Sequence, residues 1–260
     1  MFQDILLIDG DSIYFRIGCA TQKKNDIRKA IDYAMAEIRK NCGVDRFLCA
    51  VKGEGNFRMD VDPEYKGQRK ELDPKIKEAI LYGHKYMIDK HGAIEADGME
   101  ADDLVSIWAY EMKDMDMEPI IVAIDKDLLQ IPGWHYNFVK KDPPFQVDAD
   151  EANMKLMLQC LTGDTADNIK GLKGIGPKKA EAILKGVPME RRWNRVRAAY
   201  RAHKNGNLDK NYILLKMLKS WSEFDEIRDK FECETAKREH HVSEEQTQDS
   251  SVQTVPDGNP

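Results

Sequence analysis

The sequence lacks any uncharged apolar run near the ~18–20 residues that a membrane-spanning helix needs. Its N-terminus also lacks the basic residues that open a secretory signal peptide, because Asp4 is the only charged residue before the first apolar stretch. We therefore expect no membrane partner and a cytoplasmic location.

Cysteine pairing motifs are also missing. The five cysteines are an odd number, and no two of them form a Cys-x-x-Cys pair. A disulfide framework or a zinc site needs paired or closely spaced cysteines. We therefore expect reduced, mostly buried thiols, as in proteins of the cytosol.

Charge is abundant but unevenly distributed along the chain. Residues 1–168 contain 22 Lys and Arg against 32 Asp and Glu, whereas residues 169–204 contain 11 against 2. A basic segment beside an acidic body predicts two separate roles, the binding of a polyanion and the retention of cations. The alternative is that the basic run is only a solvated helix face.

Short apolar runs alternate with stretches of helical spacing in the first half of the chain. Strands are predicted near residues 4–8, 46–51, 119–124 and 134–139, and helices at 25–41 and 100–112. Asp9-Gly10-Asp11 predicts a turn after the first strand. Strands that are apolar throughout are typical of a mostly parallel sheet with helices on both faces. The predicted fold class is therefore α/β, and ligands of such sheets bind beyond the carboxyl ends of the strands.

The same patterns predict the domain organisation. Residues 1–150 are expected to form the α/β core and residues 151–232 a helical region. Residues 233–260 contain few apolar side chains and are expected to form a disordered tail.

Acidic residues gather near the predicted element boundaries. The clusters are Asp9 with Asp11, Glu100 with Asp102 and Asp103, Asp125 with Asp127, and Asp164 with Asp167. Each cluster alone is typical of helix capping. Three carboxylates within residues 100–103, however, repel one another unless cations compensate them. Oxygen-only ligands suit Mg²⁺ or Mn²⁺, and two such ions roughly 4 Å apart promote phosphodiester cleavage.

The most specific local pattern lies in residues 163–180. Gly174-Ile175-Gly176 predicts a tight turn before a helix that begins at Pro177, a favoured first helical residue. Backbone N–H groups at such a helix N-terminus bind phosphate, and Lys178 and Lys179 add positive charge. The pattern is that of a helix–hairpin–helix element, which contacts duplex backbone without reading sequence. An ordinary packing corner between two helices is the alternative.

Four segments together resemble the 5′-nuclease family, which includes bacteriophage 5′–3′ exonucleases, flap endonucleases and the 5′-nuclease domain of bacterial DNA polymerase I. The segments are Ile8-Asp9-Gly10, residues 98–103, residues 125–130, and residues 163–176. Their order and spacing match over residues 4–185, and the chain is most similar to stand-alone phage enzymes. The resemblance implies a PIN-like 5′-nuclease core and a helix–hairpin–helix region at about residues 163–185.

The resemblance assigns roles to the acids. The metal ligands, direct or through water, would be Asp9, Glu100, Asp102, Asp103, Asp125, Asp127, Asp164 and Asp167. Of these, Asp102 and Asp125 would also be catalytic. The implied cofactors are two Mg²⁺ ions, which Mn²⁺ could replace.

The resemblance also assigns roles to basic and aromatic residues. Family members carry a helical arch or clamp over the site, and residues 55–90 match its position. Tyr65 would stack on a base, while Lys66 and Arg69 would stabilise charge on the scissile phosphate. The residues that would bind nucleic acid are Arg58, Tyr65, Lys66, Arg69, Lys170, Lys173, Gly174, Gly176, Lys178 and Lys179. In some relatives the turn also binds K⁺ through carbonyl groups, and the resemblance extends that cofactor to this chain.

The sequence departs from the family at one position. Relatives usually place an Asp at the end of the second strand, where the best alignment puts Gly53 or Lys52. The enzyme either lacks that ligand or replaces it with the neighbouring Glu54.

The resemblance implies a metal-dependent 5′–3′ exonuclease or flap endonuclease that acts near DNA 5′ ends, nicks and flaps, with RNA primers as further substrates. A monomer in the cytoplasm is expected, in the host cytoplasm if a phage encodes it, with replication proteins as partners. The alternatives are a related metal-dependent ribonuclease and a junction-binding protein that has lost catalysis.

Overall fold

The computed structural model describes residues 5–203 and 206–231. The described residues up to Ser220 form one compact unit, and Trp221 opens a second, of which residues 221–231 are helical. The predicted tail at 233–260 lies outside the described residues. None of the helices in the described ranges is long and apolar enough to cross a membrane.

The core of the first unit is a six-stranded sheet. Its strands are β1 (Ile5–Asp9), β2 (Phe47–Lys52), β3 (Ile94–Ala96), β4 (Pro119–Val122), β5 (Gly133–Tyr136) and β6 (Phe145–Val147). The strand order is β3-β2-β1-β4-β5-β6, and only β6 runs antiparallel to its neighbour. The predicted mostly parallel α/β fold is confirmed.

Burial explains which strands the sequence predicts. Every residue of β1 and β4 is buried, in keeping with their unbroken apolar runs. In contrast, β3 and β6 are each three residues long with two exposed positions, so neither has an apolar run that predicts it.

Helices surround the sheet and continue beyond it. Helices α1 to α9 are Gly10–Ala20, Lys24–Cys42, Phe57–Val61, Pro74–His91, Ala101–Asp114, Ala149–Thr162, Pro177–Leu184, Met189–His203 and Leu208–Leu215. A 3-10 helix covers Asp127–Gln130, and β7 (Gly163–Asp164) pairs with β8 (Ile169–Lys170). The predicted turn after β1 is wrong, because α1 begins at Gly10 and the Asp9 carboxylate caps its N-terminus.

Two groups of buried apolar side chains stabilise the first unit. One joins the sheet to α1, α2 and α4 and includes Leu6 and Ile31. The other lies among the four helices α6, α7, α8 and α9 and includes Val196, and Tyr65 packs into it. Most of the second group lies beyond the predicted boundary near residue 150, but Tyr65 does not, and both groups belong to one compact unit. The division into domains stays a prediction.

The strand order reverses direction next to β1. β1 pairs with β2 on one side and with β4 on the other, both in parallel register. Crossovers therefore leave a crevice at the carboxyl ends of β1 and β4, which is where open α/β sheets bind ligands. Asp9 ends β1, and Asp125 follows β4 by three residues.

Candidate active site

Carboxylates from separate segments meet at this crevice. Asp9 comes from the end of β1 and Asp125 from the segment after β4, while Asp102 lies in the first turn of α5. Burial raises the pKa of Asp102, and the charges of the nearby Asp9, Asp125 and Glu100 raise it further. The fold therefore gathers acids that are far apart in sequence, as the motif analysis predicts.

Two cavities of about 1120 and 430 Å³ open onto these acids. Both are lined by Lys66, Arg69, Glu100, Asp102, Ile124 and Asp125. Asp9 and Asp11 line only the larger cavity, whereas Asp127, Asp164 and Asp167 line only the smaller one. The acids thus form two groups that share a wall built from Glu100, Asp102 and Asp125.

Burial and mutual repulsion determine the electrostatics of the crevice. Burial, followed by the charge of Asp11, raises the pKa of Asp9 to about 7. Burial also raises the pKa of Asp127 to about 6, with help from Asp125. At Glu100 burial acts to raise the pKa, but the charges of Arg58 and Lys66 outweigh it and lower the pKa. Each cavity therefore holds an acid that resists ionisation without a cation beside it, Asp9 in the larger and Asp127 in the smaller.

The donor set fits a hard divalent cation, although the side chains do not enclose one as they stand. Among the described residues, no three His, Cys, Asp or Glu side chains form a group that could hold a metal ion. Protein cations already neutralise part of the cluster, because Lys66 Nζ contacts Glu100 and Arg69 Nη2 lies 2.9 Å from Asp167 Oδ1. The remaining repulsion among buried carboxylates is of the kind that Mg²⁺ or Mn²⁺ relieves.

The loop that carries Lys66 and Arg69 is hydrogen-bonded to the turn between β7 and β8. Lys66 N–H donates to the Asp167 carbonyl at 3.0 Å, and Asn168 Nδ2 donates to the Glu64 carbonyl at 2.8 Å. Lys66 has a φ of 57°, a left-handed backbone that non-glycine residues rarely adopt. These contacts place both basic side chains at the shared wall of the two cavities.

Arg58 and Asp103 do not belong to the exposed site that the resemblance predicts. Both residues are 0% exposed, and their side chains form a bidentate ion pair, with Arg58 Nη2 2.9 Å from Asp103 Oδ1. Arg58 also donates to the carbonyls of Leu214 and Lys216. We therefore correct both predictions, because Arg58 cannot reach DNA and the oxygens of Asp103 are already engaged.

Tyr65 also differs from its predicted role. Its side chain is 2% exposed, so the ring face is not accessible for stacking on a base. Its hydroxyl lies 3.1 Å from Glu100 Oε2 and 3.0 Å from Asp167 Oδ2, so its one O–H group is shared between the two carboxylates. Tyr65 therefore orients two acids and does not bind a base in this arrangement, which corrects the prediction.

Packing explains why residue 53 is glycine. A Cβ there would lie 2.3 Å from Asp97 Oδ1 and 2.8 Å from the Ala96 carbonyl oxygen. An Asp side chain at Gly53 would therefore require the end of β3 to move. Glu54 is exposed and lines the larger cavity, and its N–H donates to Asp97 Oδ1 at 2.9 Å. The replacement of the family Asp by Glu54 stays a prediction.

The basic segment forms the predicted turn and helix. Gly174 has a φ of 77°, and Gly176 is the N-cap of α7, which begins at Pro177. The predicted lysines Lys170, Lys173, Lys178 and Lys179 are all exposed. Lys179 Nζ donates to the Gly174 carbonyl at 2.9 Å, so an ammonium group already occupies one carbonyl of the turn expected to bind K⁺.

Some residues at the site lack a motif that would have identified them. Lys155 on α6 lines the smaller cavity with its Nζ 3.6 Å from Asp127 Oδ1, and Gln159 donates to the same oxygen at 2.7 Å. The exposed arginines of α8 are Arg191, Arg195, Arg197 and Arg201. The excess of basic residues at 169–204 was the one signal that pointed to these arginines.

Comparison with known proteins gives consistent results. A family model described as 5′-3′ exonuclease, N-terminal resolvase-like domain, matches residues 4–156. Flap endonuclease Xni of Shewanella amazonensis is 29% identical over 197 residues, which are 70% of this chain and 76% of that protein. The Xni protein of Shewanella baltica is 30% identical over 193 residues, which are 69% of this chain and 73% of that protein.

The match to DNA polymerase I of Rhizobium leguminosarum is 34% identical over 143 residues, which are 49% of this chain but only 14% of that protein. Among solved structures, the flap endonuclease of bacteriophage T5 in complex with DNA and metal ions has a TM-score of 0.64 at 18% identity, covering 83% of this chain and 89% of that one. Flap endonuclease-1 of Methanococcus jannaschii has a TM-score of 0.54 at 17% identity, covering 84% of this chain and 79% of that one. The structures share the fold, and the sequence matches show that the chain belongs to the 5′–3′ exonuclease family and is a nuclease.

Proposed function

We propose that this nuclease hydrolyses phosphodiesters near the 5′ ends, nicks and flaps of DNA with the help of two divalent metal ions. The observation that carries the proposal is the acid cluster at the carboxyl ends of β1 and β4, divided between two cavities that share Glu100, Asp102 and Asp125. Two groups of carboxylates with a common wall are the donor arrangement suited to a pair of cations.

Mg²⁺ is the cation that the donor set favours, with Mn²⁺ as a substitute. One ion would be held from Asp9, Glu100 and Asp102, and the other from the acids of the smaller cavity. When bound, divalent ions supply Lewis-acid polarisation of the phosphate and an activated water. The K⁺ ion of the helix–hairpin–helix turn belongs to the same proposal, although Lys179 competes for one of its carbonyls.

Lys66 and Arg69 would bind and polarise the scissile phosphate. The two side chains line each of the cavities. The Arg69 side chain is 60% exposed, so it can leave Asp167 to contact a substrate. Positive charge placed where negative charge develops stabilises the transition state. Their carboxylate partners would hold them in place until a phosphate arrives.

The duplex would lie along the basic helical region. The N-terminus of α7 exposes backbone N–H groups beside Lys178 and Lys179. The exposed arginines of α8 continue the basic surface, which would contact phosphates without reading bases.

The proposal is tested by replacing Asp102 with Asn in the full chain. An amide is a poor Mg²⁺ ligand, so we expect cleavage of a 5′-labelled flap to fall by about 100-fold or more. Flap binding measured in Ca²⁺ should stay unchanged, because in this proposal Asp102 holds ions and not the duplex. The matched control is Asp142→Asn, an exposed acid outside both cavities. Unchanged turnover of Asp102→Asn, or equal turnover with Mg²⁺ and with a chelator, would refute the metal-dependent mechanism.

A further inference from the structure

A short segment, residues 214–218, comprises the last two residues of α9 and the three that follow, and it runs through the interior with its backbone bonded to buried side chains. We call it the strap. The bonds are Arg58 to the carbonyls of Leu214 and Lys216, Gln130 to the Leu215 carbonyl, Met217 N–H to Gln130 and Leu218 N–H to Asp103. Two of these side chains come from elements that also carry acids of the site, because Asp103 follows Asp102 on α5 and Gln130 shares the 3-10 helix with Asp127.

The bonds from Gln130 continue beyond the strap. Gln130 is 8% exposed and Gln159 is 7% exposed, and Gln130 Nε2 donates to Gln159 Oε1 at 2.9 Å. Gln159 Nε2 in turn donates to Asp127 Oδ1 at 2.7 Å. Two buried amides therefore connect the strap backbone to an acid of the smaller cavity.

The backbone of the strap determines which way the donors and acceptors point along this series of hydrogen bonds. Met217 N–H donates to Gln130 Oε1 at 3.2 Å, so the Gln130 amide must turn its nitrogen toward the Leu215 carbonyl, 2.8 Å away, and toward Gln159. Gln159 then accepts with its oxygen and has only its nitrogen left for Asp127. A reversed amide at either link would face like atoms toward each other and leave buried polar groups unsatisfied.

We propose that Gln130 and Gln159 are positioning residues that set the orientation of the Asp127 carboxylate from the backbone of the strap. Gln159 engages Oδ1 of Asp127, and Asp127 N–H donates to Asp125 Oδ1 at 2.8 Å. Oδ2 is thereby held for a cation in the smaller cavity. The inference rests on the proposed function, because it assumes that Asp127 serves a metal ion.

The test measures Mn²⁺ binding to the full chain without DNA, by isothermal titration calorimetry. Gln159→Met keeps the length of the side chain but removes the donor. We expect it to weaken the Mn²⁺ site that involves Asp127 by about tenfold, the size typical of outer hydrogen bonds to metal ligands. Gln130→Met does not touch Asp127, yet it should produce a similar loss, and the double variant should lose no more than either single variant.

The control is Tyr200→Phe, which removes a buried hydrogen bond to the carbonyl of Cys160, the residue next to Gln159 on α6. It should lower the melting temperature without changing Mn²⁺ affinity.

If Gln159→Met does not fold, Gln130→Glu tests the same point. A carboxylate of the same shape at position 130 can only accept, so the Gln159 amide has to flip, which turns its oxygen toward Asp127. Parent-like Mn²⁺ affinity in the folded variants, or additive losses in the double variant, would overturn the positioning role while leaving the proposed function intact. If the parent binds no Mn²⁺, the proposed function fails instead, and the positioning role fails with it.

Discussion

Removal of the Arg58 guanidinium should destabilise the fold far more than it weakens DNA binding. Arg58→Met leaves the carboxylate of Asp103 buried without its partner, and both residues are 0% exposed. Breaking a buried ion pair from one side costs about 3–5 kcal/mol. The carbonyls of Leu214 and Lys216 also lose their donor, and each unsatisfied buried group costs about 1–3 kcal/mol.

The whole effect is therefore expected to be at least about 5 kcal/mol, a large part of the ~5–15 kcal/mol that stabilises a typical domain. Urea unfolding followed by circular dichroism measures it directly. In a chain of this size each kcal/mol lowers the melting temperature by about 2–4 °C. The Arg58→Met protein should thus melt more than about 10 °C below the parent.

The double variant Arg58→Met with Asp103→Leu is the matched control. Removing both charges replaces the pair by apolar groups, which is often neutral compared with leaving one charge unpaired. Recovery of stability in the double variant would confirm that the pair is internal. The opposite outcome would be a folded Arg58→Met protein that loses less than about 1 kcal/mol of stability and binds flaps more weakly. That result would restore the DNA-contact role that the resemblance assigns to Arg58.

Three other perturbations test separate parts of the molecule. Lys178→Ala with Lys179→Ala should weaken duplex binding and flatten its salt dependence, because fewer counterions are released; an unchanged salt slope in a fluorescence anisotropy titration would show that the basic run is only a solvated face. Glu54→Gln should raise the Mg²⁺ concentration for half-maximal cleavage by about tenfold, and overlapping Mg²⁺ titrations of variant and parent would rule out Glu54 as the replacement for the family Asp. Burial lowers the pKa of His135 from 6.5 to about 4, so the unfolded chain takes up this proton first and stability falls by about 3 kcal/mol as the pH drops across that interval. His135→Gln should remove this component of the unfolding free energy between pH 7 and 4, and identical pH profiles for variant and parent would contradict it.

The elements that the sequence predicts well are those with one dominant periodic signal. Helix α2 places Ile27, Ile31, Met35 and Ile38 on one buried face and ends at Gly43, where a φ of 68° favours glycine. Helix α1 was missed because the acids at its start resemble a turn. In the structure the Asp9 carboxylate accepts the Ser12 N–H at 3.3 Å, which makes the same residue a helix cap and a candidate ligand.

Motif position predicts which acids converge but not which way they point. Asp102 and Asp103 are adjacent in sequence, yet Asp102 lines both cavities and Asp103 pairs internally with Arg58. Successive helix positions differ by about 100° in direction, so two adjacent acids face different surroundings. Only the packing of α3 and of the strap decides which direction is the interior.

The sequence does not show what the neutral amides Gln130 and Gln159 do. Gln130 ends the motif segment at residues 125–130 without a role assigned to it there, and Gln159 resembles a surface residue. In the structure the backbone of Leu215 and Met217, far along the chain, bonds to Gln130, which in turn bonds to Gln159. Hydrogen bonds of such long range depend on the assembled fold. Local patterns therefore predict the acids but not the groups that orient them.

The strap has a consequence for how this chain can be divided into fragments. The family model ends at residue 156, which invites expression of the matched region as a separate domain. A fragment that ends there would leave Arg58, Asp103 and Gln130 without the backbone groups of residues 214–218 that satisfy them. With each buried polar group costing about 1–3 kcal/mol when unpaired, such a fragment should fail to fold. The region that the family model matches is thus shorter than the compact unit, and a minimal expressible nuclease should extend past residue 218.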